Sequence, residues 1–181
     1  MKRLLRIVGI VVAVLVAIAV ALCAAVVVMY IGMSTSTATV TKVSAYPDVL
    51  EEWTSTGLVD HFPRTIPANA TNVSLVAYPG AMQGSGFFQL RETLPLGDVQ
   101  AILAETKASA IRSCPGQCPT GVEEPEFWHV PSLIEPDESE HQYPPDFVIY
   151  ALETNGDWNH PSGKGVAIST ARSEVVYWAE Q

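Results

Sequence analysis

The longest unbroken apolar stretch of the chain runs from Ile7 to Met33, 27 residues without a charge. As a helix it would reach roughly 40 Å, against about 30 Å for a bilayer's hydrocarbon core, so it can cross with some tilt. Its many Val and Ile residues are poor helix formers in water, but in lipid the backbone must bond to itself, which favours the helix. Lys2, Arg3 and Arg6 precede the run and only Lys42 follows it closely. That bias keeps residues 1–6 in the cytoplasm and sends the rest of the chain outside. The same basic start suits a cleaved signal peptide, whose apolar region is about 7–15 residues long. Cleavage at Ala19–Ala21 would leave Leu22–Met33 as a greasy new terminus, whereas cleavage near Ala38 would release a secreted protein. A lipoprotein cysteine needs a small residue before it, and Cys23 follows Leu22. The length favours an uncleaved single-pass anchor at 7–33. Ala13, Ala17, Ala21 and Ala25 recur every four residues along it, a stripe that lets a second helix approach closely.

Beyond the anchor the pattern turns mixed. Residues 34–46 are rich in Ser and Thr and nearly uncharged, and read as a spacer, with an edge strand over Thr39–Val43 as the alternative. Pro47 opens a short helix whose apolar side is Val49, Leu50 and Trp53, ending near Gly57. Val73–Tyr78 and Phe87–Glu92, joined by a Gly-rich segment, predict a hairpin. A helix from Pro95 to about Arg112 repeats Val99, Ile102, Leu103, Thr106 and Ala110 at helical spacing. Three further strands are predicted at Phe147–Glu153, Gly165–Thr170 and Glu174–Ala179. The last is apolar on both faces, which places it near the centre of a sheet. Between helix and strands, residues 113–145 hold seven prolines and no periodicity, a long Pro-rich acidic loop.

These elements predict an α+β ectodomain over 47–181, an antiparallel sheet of about five strands with one main amphipathic helix. Composition sharpens the picture. All 19 Asp/Glu and only 7 of the 10 Lys/Arg lie beyond residue 33, so that part carries −12 against −9 for the whole chain. The sign repels phosphate backbones and excludes nucleic acid as a partner class. Cys114-Pro-Gly-Gln-Cys118 sets two sulfurs about a turn in an oxidising compartment, which predicts a disulfide. A redox pair needs C-x-x-C at a helix N-terminus, and these cysteines follow a helix at a longer spacing. Zinc on Cys114, Cys118 and two of His129, His141 and His160 lacks the paired histidine spacing, and the calcium loop pattern is absent. Asn69 and Asn72 each head a glycosylation triplet, a pattern that arises often by chance.

No nucleotide, metal-hydrolase or triad motif is present, so no cofactor and no catalytic residue is expected. Asp157, Trp158 and His160 share one loop and are candidates to line a pocket with Tyr150 and Tyr177. The expected function is that of a membrane-anchored extracytoplasmic binding protein with a membrane or envelope protein as partner. The alternatives are an extracytoplasmic hydrolase using His160 with Asp157, or His61, and a small-ligand sensor domain.

Overall fold

The computed structural model describes residues 14–27, 39–80, 86–116, 143–155 and 162–181. Two compact units are present, Met1–Ala38 and Thr39–Gln181. In the first, residues 14–27 are helical with exposed side chains, Ala17, Ala21 and Ala25 among them, while Ala13 lies outside the described residues. Among the described residues no helix is long and apolar enough to cross a membrane. The outer parts of the 7–33 run are not among them.

The second unit is α+β. Strands β1 (Thr71–Tyr78), β2 (Phe87–Thr93), β3 (Arg112–Pro115), β4 (Val148–Asn155), β5 (Ser162–Ser169) and β6 (Glu174–Glu180) form one antiparallel sheet ordered β1-β2-β6-β5-β4-β3. Helix α1 spans Tyr46–Thr54 and helix α2 spans Leu96–Ser109. The sheet therefore has six strands where five were expected. The additional one is β3, four residues at the outer edge, beginning at the expected end of the helix and running into the stretch expected to be a loop. Its Arg-Ser-Cys-Pro sequence has no strand propensity of its own, and Pro115 suits an edge. Pairing with β4 supplies the order, Cys114 facing Ile149 and Arg112 facing Ala151. The far end of the expected loop is also packed, since Tyr143 and Phe147 are buried. Residues 117–142 lie outside the described residues.

Alternation along the strands sorts the core into two faces. On the first, Leu75, Ala77, Phe88, Leu90, Tyr150, Val166, Ile168, Val175 and Tyr177 join the buried residues of α1 and of the segment after it. Tyr46, Val49, Leu50 and Trp53 of α1 are all buried, and Leu58, Val59 and Phe62 extend the cover. Helix α2 lies over β4 and β5 and buries Val99 and Thr106. It ends three residues before the expected Arg112 because Ala110 turns extended and Ile111 already bonds to the Ala151 carbonyl. The second face gathers Tyr143, Phe147, Ile149, Ala151, Ala167, Val176 and Trp178, with Cys114 against them. Strand β6 has β2 on one side and β5 on the other and is buried on both faces, which meets the expectation of a central strand.

Residues 39–46, expected to belong to the spacer, pack on the domain. Val40 exchanges two backbone hydrogen bonds with Ala77 of β1, so the edge alternative for this segment holds at one residue. A turn of 3-10 helix at Val43–Ala45 then leads into α1, where Tyr46 is 1% exposed. Burying an aromatic ring and pairing an open sheet edge hold down a stretch that by composition alone reads as a flexible spacer. At the opposite end of the sheet, Asp146 holds the β5–β6 turn. Its carboxylate accepts bonds from Arg172 Nε at 2.8 Å and from the buried Ser169 hydroxyl at 2.6 Å.

Candidate functional site

Two polar constellations sit on the first face, and both rest on contacts far apart in sequence. The first joins the segment after α1 to the β4–β5 pair. Gly57, at φ 73°, turns the chain out of the helix, and Asp60 and His61 follow. Lys164 of β5 reaches Asp60 at 2.8 Å, Glu153 of β4 at 3.1 Å and the Gly57 carbonyl at 3.0 Å. Register explains the Glu153 contact, since Glu153 and Lys164 are directly paired beyond a bulge in β4. The hydrogen bond from Lys164 holds the Asp60 carboxyl below its ordinary range. Burial alone would lower the Lys164 pKa, but hydrogen bonds to Asp60 and Glu153 outweigh it and raise it. Lys164→Ala should therefore loosen the 57–61 segment and cost about 1–2 kcal/mol, less at high salt, measured by urea unfolding at two ionic strengths.

His61 sits beside this clasp with only 10% of its side chain exposed. Its Nε2 is 2.9 Å from the Gly165 carbonyl, so Nε2 carries the proton and donates. Nδ1 is buried and has no hydrogen-bond partner; Asp60 stands 3.8 Å away, beyond hydrogen-bond reach. The ring meets Phe62 edge-on at 4.8 Å and lies 6.2 Å from Tyr177. Burial pushes the imidazole pKa down to about 4, against the Gly165 carbonyl and Asp60, which favour the charged form.

The second constellation centres on Glu92 of β2, which is 0% exposed with neither carboxyl oxygen hydrogen-bonded. Cross-strand pairing places it in the row Val148, Ile168, Val175. On its other side β1 slips register between Thr71 and Ser74, with Asn72 at φ 49°. Burial raises the carboxyl to about 7. Tyr46 and Tyr177 are both raised, first by burial and then by the Glu92 carboxyl. The Tyr46 hydroxyl donates to the Pro63 carbonyl.

Of the residues singled out from the sequence, Tyr150 and Tyr177 are brought onto one face. Both pair with Val166, giving a row across β4, β5 and β6, and both are buried, at 5% and 6% exposure. They belong to the main core. Their expected loop companions Asp157, Trp158 and His160 lie outside the described residues, as do His129 and His141. Cys114 stands on β3 against Ile149, and Cys118 lies outside the described residues. Among the described residues no group of His, Cys, Asp and Glu is placed to hold a metal ion. Asn69 and Asn72 are exposed, and the Asn69 amide donates to Asp98 of α2 at 2.8 Å.

Sequence reasoning missed Glu92 and Lys164. Glu92 shares a face with Phe88 and Leu90 by simple alternation, a signal that was there to read. Lys164 lies between Gly163 and Gly165, and paired strand glycines mark close approach of another group. Comparison with known proteins finds no family model, no curated sequence and no solved structure that matches the chain.

Proposed function

We propose that this chain is a single-pass membrane-anchored protein whose domain lies outside the cytoplasm and binds a membrane or envelope protein. The observation that carries the reading is an order along the chain: three basic residues, an uncharged 27-residue run, then a packed acidic domain from Thr39. An anchored acidic domain suits a basic protein surface, to which its charge draws it. Binding is favoured over hydrolysis at His61 because that ring is buried and its Nε2 proton is committed to the Gly165 carbonyl. A general base must reach a substrate proton. The alanine stripe of the run offers a second contact, helix to helix, with the same partner.

Crosslinking in intact membranes tests this directly. A discrete adduct that disappears when Ala17 and Ala21 become Leu is the expected result, and the absence of any specific adduct would sink the proposal. The oxidised pair Cys114–Cys118 belongs to the same reading, as it requires an oxidising exterior. Denatured, unreduced protein should then take up one alkyl group, at Cys23, and reduced protein three, read by intact mass. Three before reduction would remove the disulfide and weaken the external location.

A further inference from the structure

Glu92 and His61 are an acid and a base taken out of water on the same face of one sheet. Glu92 is fully buried with both carboxyl oxygens unpartnered, and His61 keeps a buried, unpartnered Nδ1. The groups facing Glu92 are the phenols of Tyr46 from α1 and Tyr177 from β6, with Glu105 of α2 acting on Tyr177. Facing His61 are Asp60 from its own segment, Lys164 and the Gly165 carbonyl from β5, and the Trp178 backbone from β6. Tyr177 connects the two sites, its ring 6.2 Å from His61 and its phenol within the field of Glu92.

Burial favours the neutral form of each group, for His61 against the pull of the Gly165 carbonyl and Asp60, and neutrality means opposite things for the two. The carboxyl keeps its proton and the imidazole gives one up. We propose that Glu92 and His61 are a compensating pair: folding moves one proton from His61 Nδ1 to the Glu92 carboxyl, and the domain's stability stays level through mildly acidic pH. The balance is complete. One N–H bond breaks, one O–H bond forms, and nothing is exchanged on net with solvent.

The sign follows from counting protons. Between the ordinary values of 4.5 for the carboxyl and 6.5 for the imidazole, the unfolded chain holds a charged His61 and an ionised Glu92. The folded chain holds both neutral. Each state carries one proton on the two sites, so neither gains on the other as pH changes. From 6.5 to about 7 the folded state holds one proton more, and stability falls as pH rises. From 4.5 down to about 4 the unfolded state holds one more, and stability falls as pH drops. A domain exposed to an exterior of varying acidity gains a flat response from two groups that would each, alone, give a steep one.

The test uses the full chain in detergent micelles, unfolded by urea at pH 4.5, 5.5 and 6.5 as wild type, Glu92→Gln and His61→Gln. Results are taken as differences from wild type, which cancels Asp146, Glu180 and every other group left untouched, while Asp60 stays ionised over this range with its carboxyl held low by Lys164. The unfolding equilibrium of Glu92→Gln should shift toward the folded state as pH rises, approaching tenfold per pH unit. That of His61→Gln should shift the opposite way by the same factor, and the double variant should run level again. Variants whose differences do not change with pH would overturn the pairing. Carbon NMR of the wild-type chain at pH 5.5 covers the case in which a variant fails to fold. A protonated Glu92 carboxyl beside an uncharged His61 ring supports the proposal, and an ionised Glu92 or a charged His61 ends it.

Discussion

Gly165→Ala should destabilise the domain by about 4 kcal/mol, among the larger effects a single methyl group can produce. A Cβ at this position would come within 2.0 Å of the Tyr150 carbonyl oxygen and 2.6 Å of Trp178 Cζ2. The first neighbour is backbone inside a paired strand, and the second is the rim of a 3% exposed indole, so neither can move aside cheaply. The damage would reach the opposite face as well, because the Gly165 carbonyl accepts the His61 bond. Gly97→Ala is the matching control. It lies in α2 with nothing within 4 Å of the added carbon, and should gain up to about 1 kcal/mol by helix propensity alone. Urea midpoints of the two variants beside wild type decide the matter, and equal midpoints would mean that strand β5 is not packed against Trp178 as described.

Phe88→Ala carries the other large expected loss, about 3–5 kcal/mol. Phe88 is fully buried on β2 and stacks on Phe62 at 4.5 Å, with Trp53 at 5.9 Å and Tyr46 at 6.0 Å around it. These partners come from α1 and from the segment after it, so one ring joins both parts of the N-terminal cover to the sheet. Its removal should expose residues 46–62 before the rest. Hydrogen exchange would read this as faster exchange in α1 than in β5 and β6, whereas uniform acceleration would contradict a local anchor.

The elements with a strong period were legible in the sequence. Helix α2 announced itself through Val99, Ile102, Leu103 and Thr106, and β6 through apolar residues on both sides. Strand β3 was not, because Arg112–Pro115 owes its conformation to β4, and no local signal encodes a borrowed partner. The same reason hid the Lys164 clasp and the bond from His61 to Gly165, which join residues 104 or more positions apart. Sequence reasoning named Tyr150 and Tyr177 as candidates to line a pocket with the loop of Asp157, Trp158 and His160. Their shared pairing with Val166 sets both rings side by side in the main core, a neighbourhood no local signal shows. Glu92 appeared only as the end of a predicted strand, although counting faces from Phe88 and Leu90 puts it on their side.

The position of β6 has a consequence for how this domain is assembled. Strands β1 and β2 form one hairpin, and β3, β4 and β5 form a separate run; only β6 hydrogen-bonds to both. The two partial sheets therefore cannot be joined until residues 174–180, which follow all five other described strands in chain order, have slotted between them. Every pair of the β2–β6 ladder spans more than 80 positions, as between Leu90 and Tyr177, and the loop-closure entropy must be met before any of it is rewarded. The β1–β2, β4–β5 and β5–β6 pairings join consecutive strands, so this distant ladder is the one expected to form slowly. Until β6 arrives, the facing edges of β2 and β5 stand open as templates for the wrong strand.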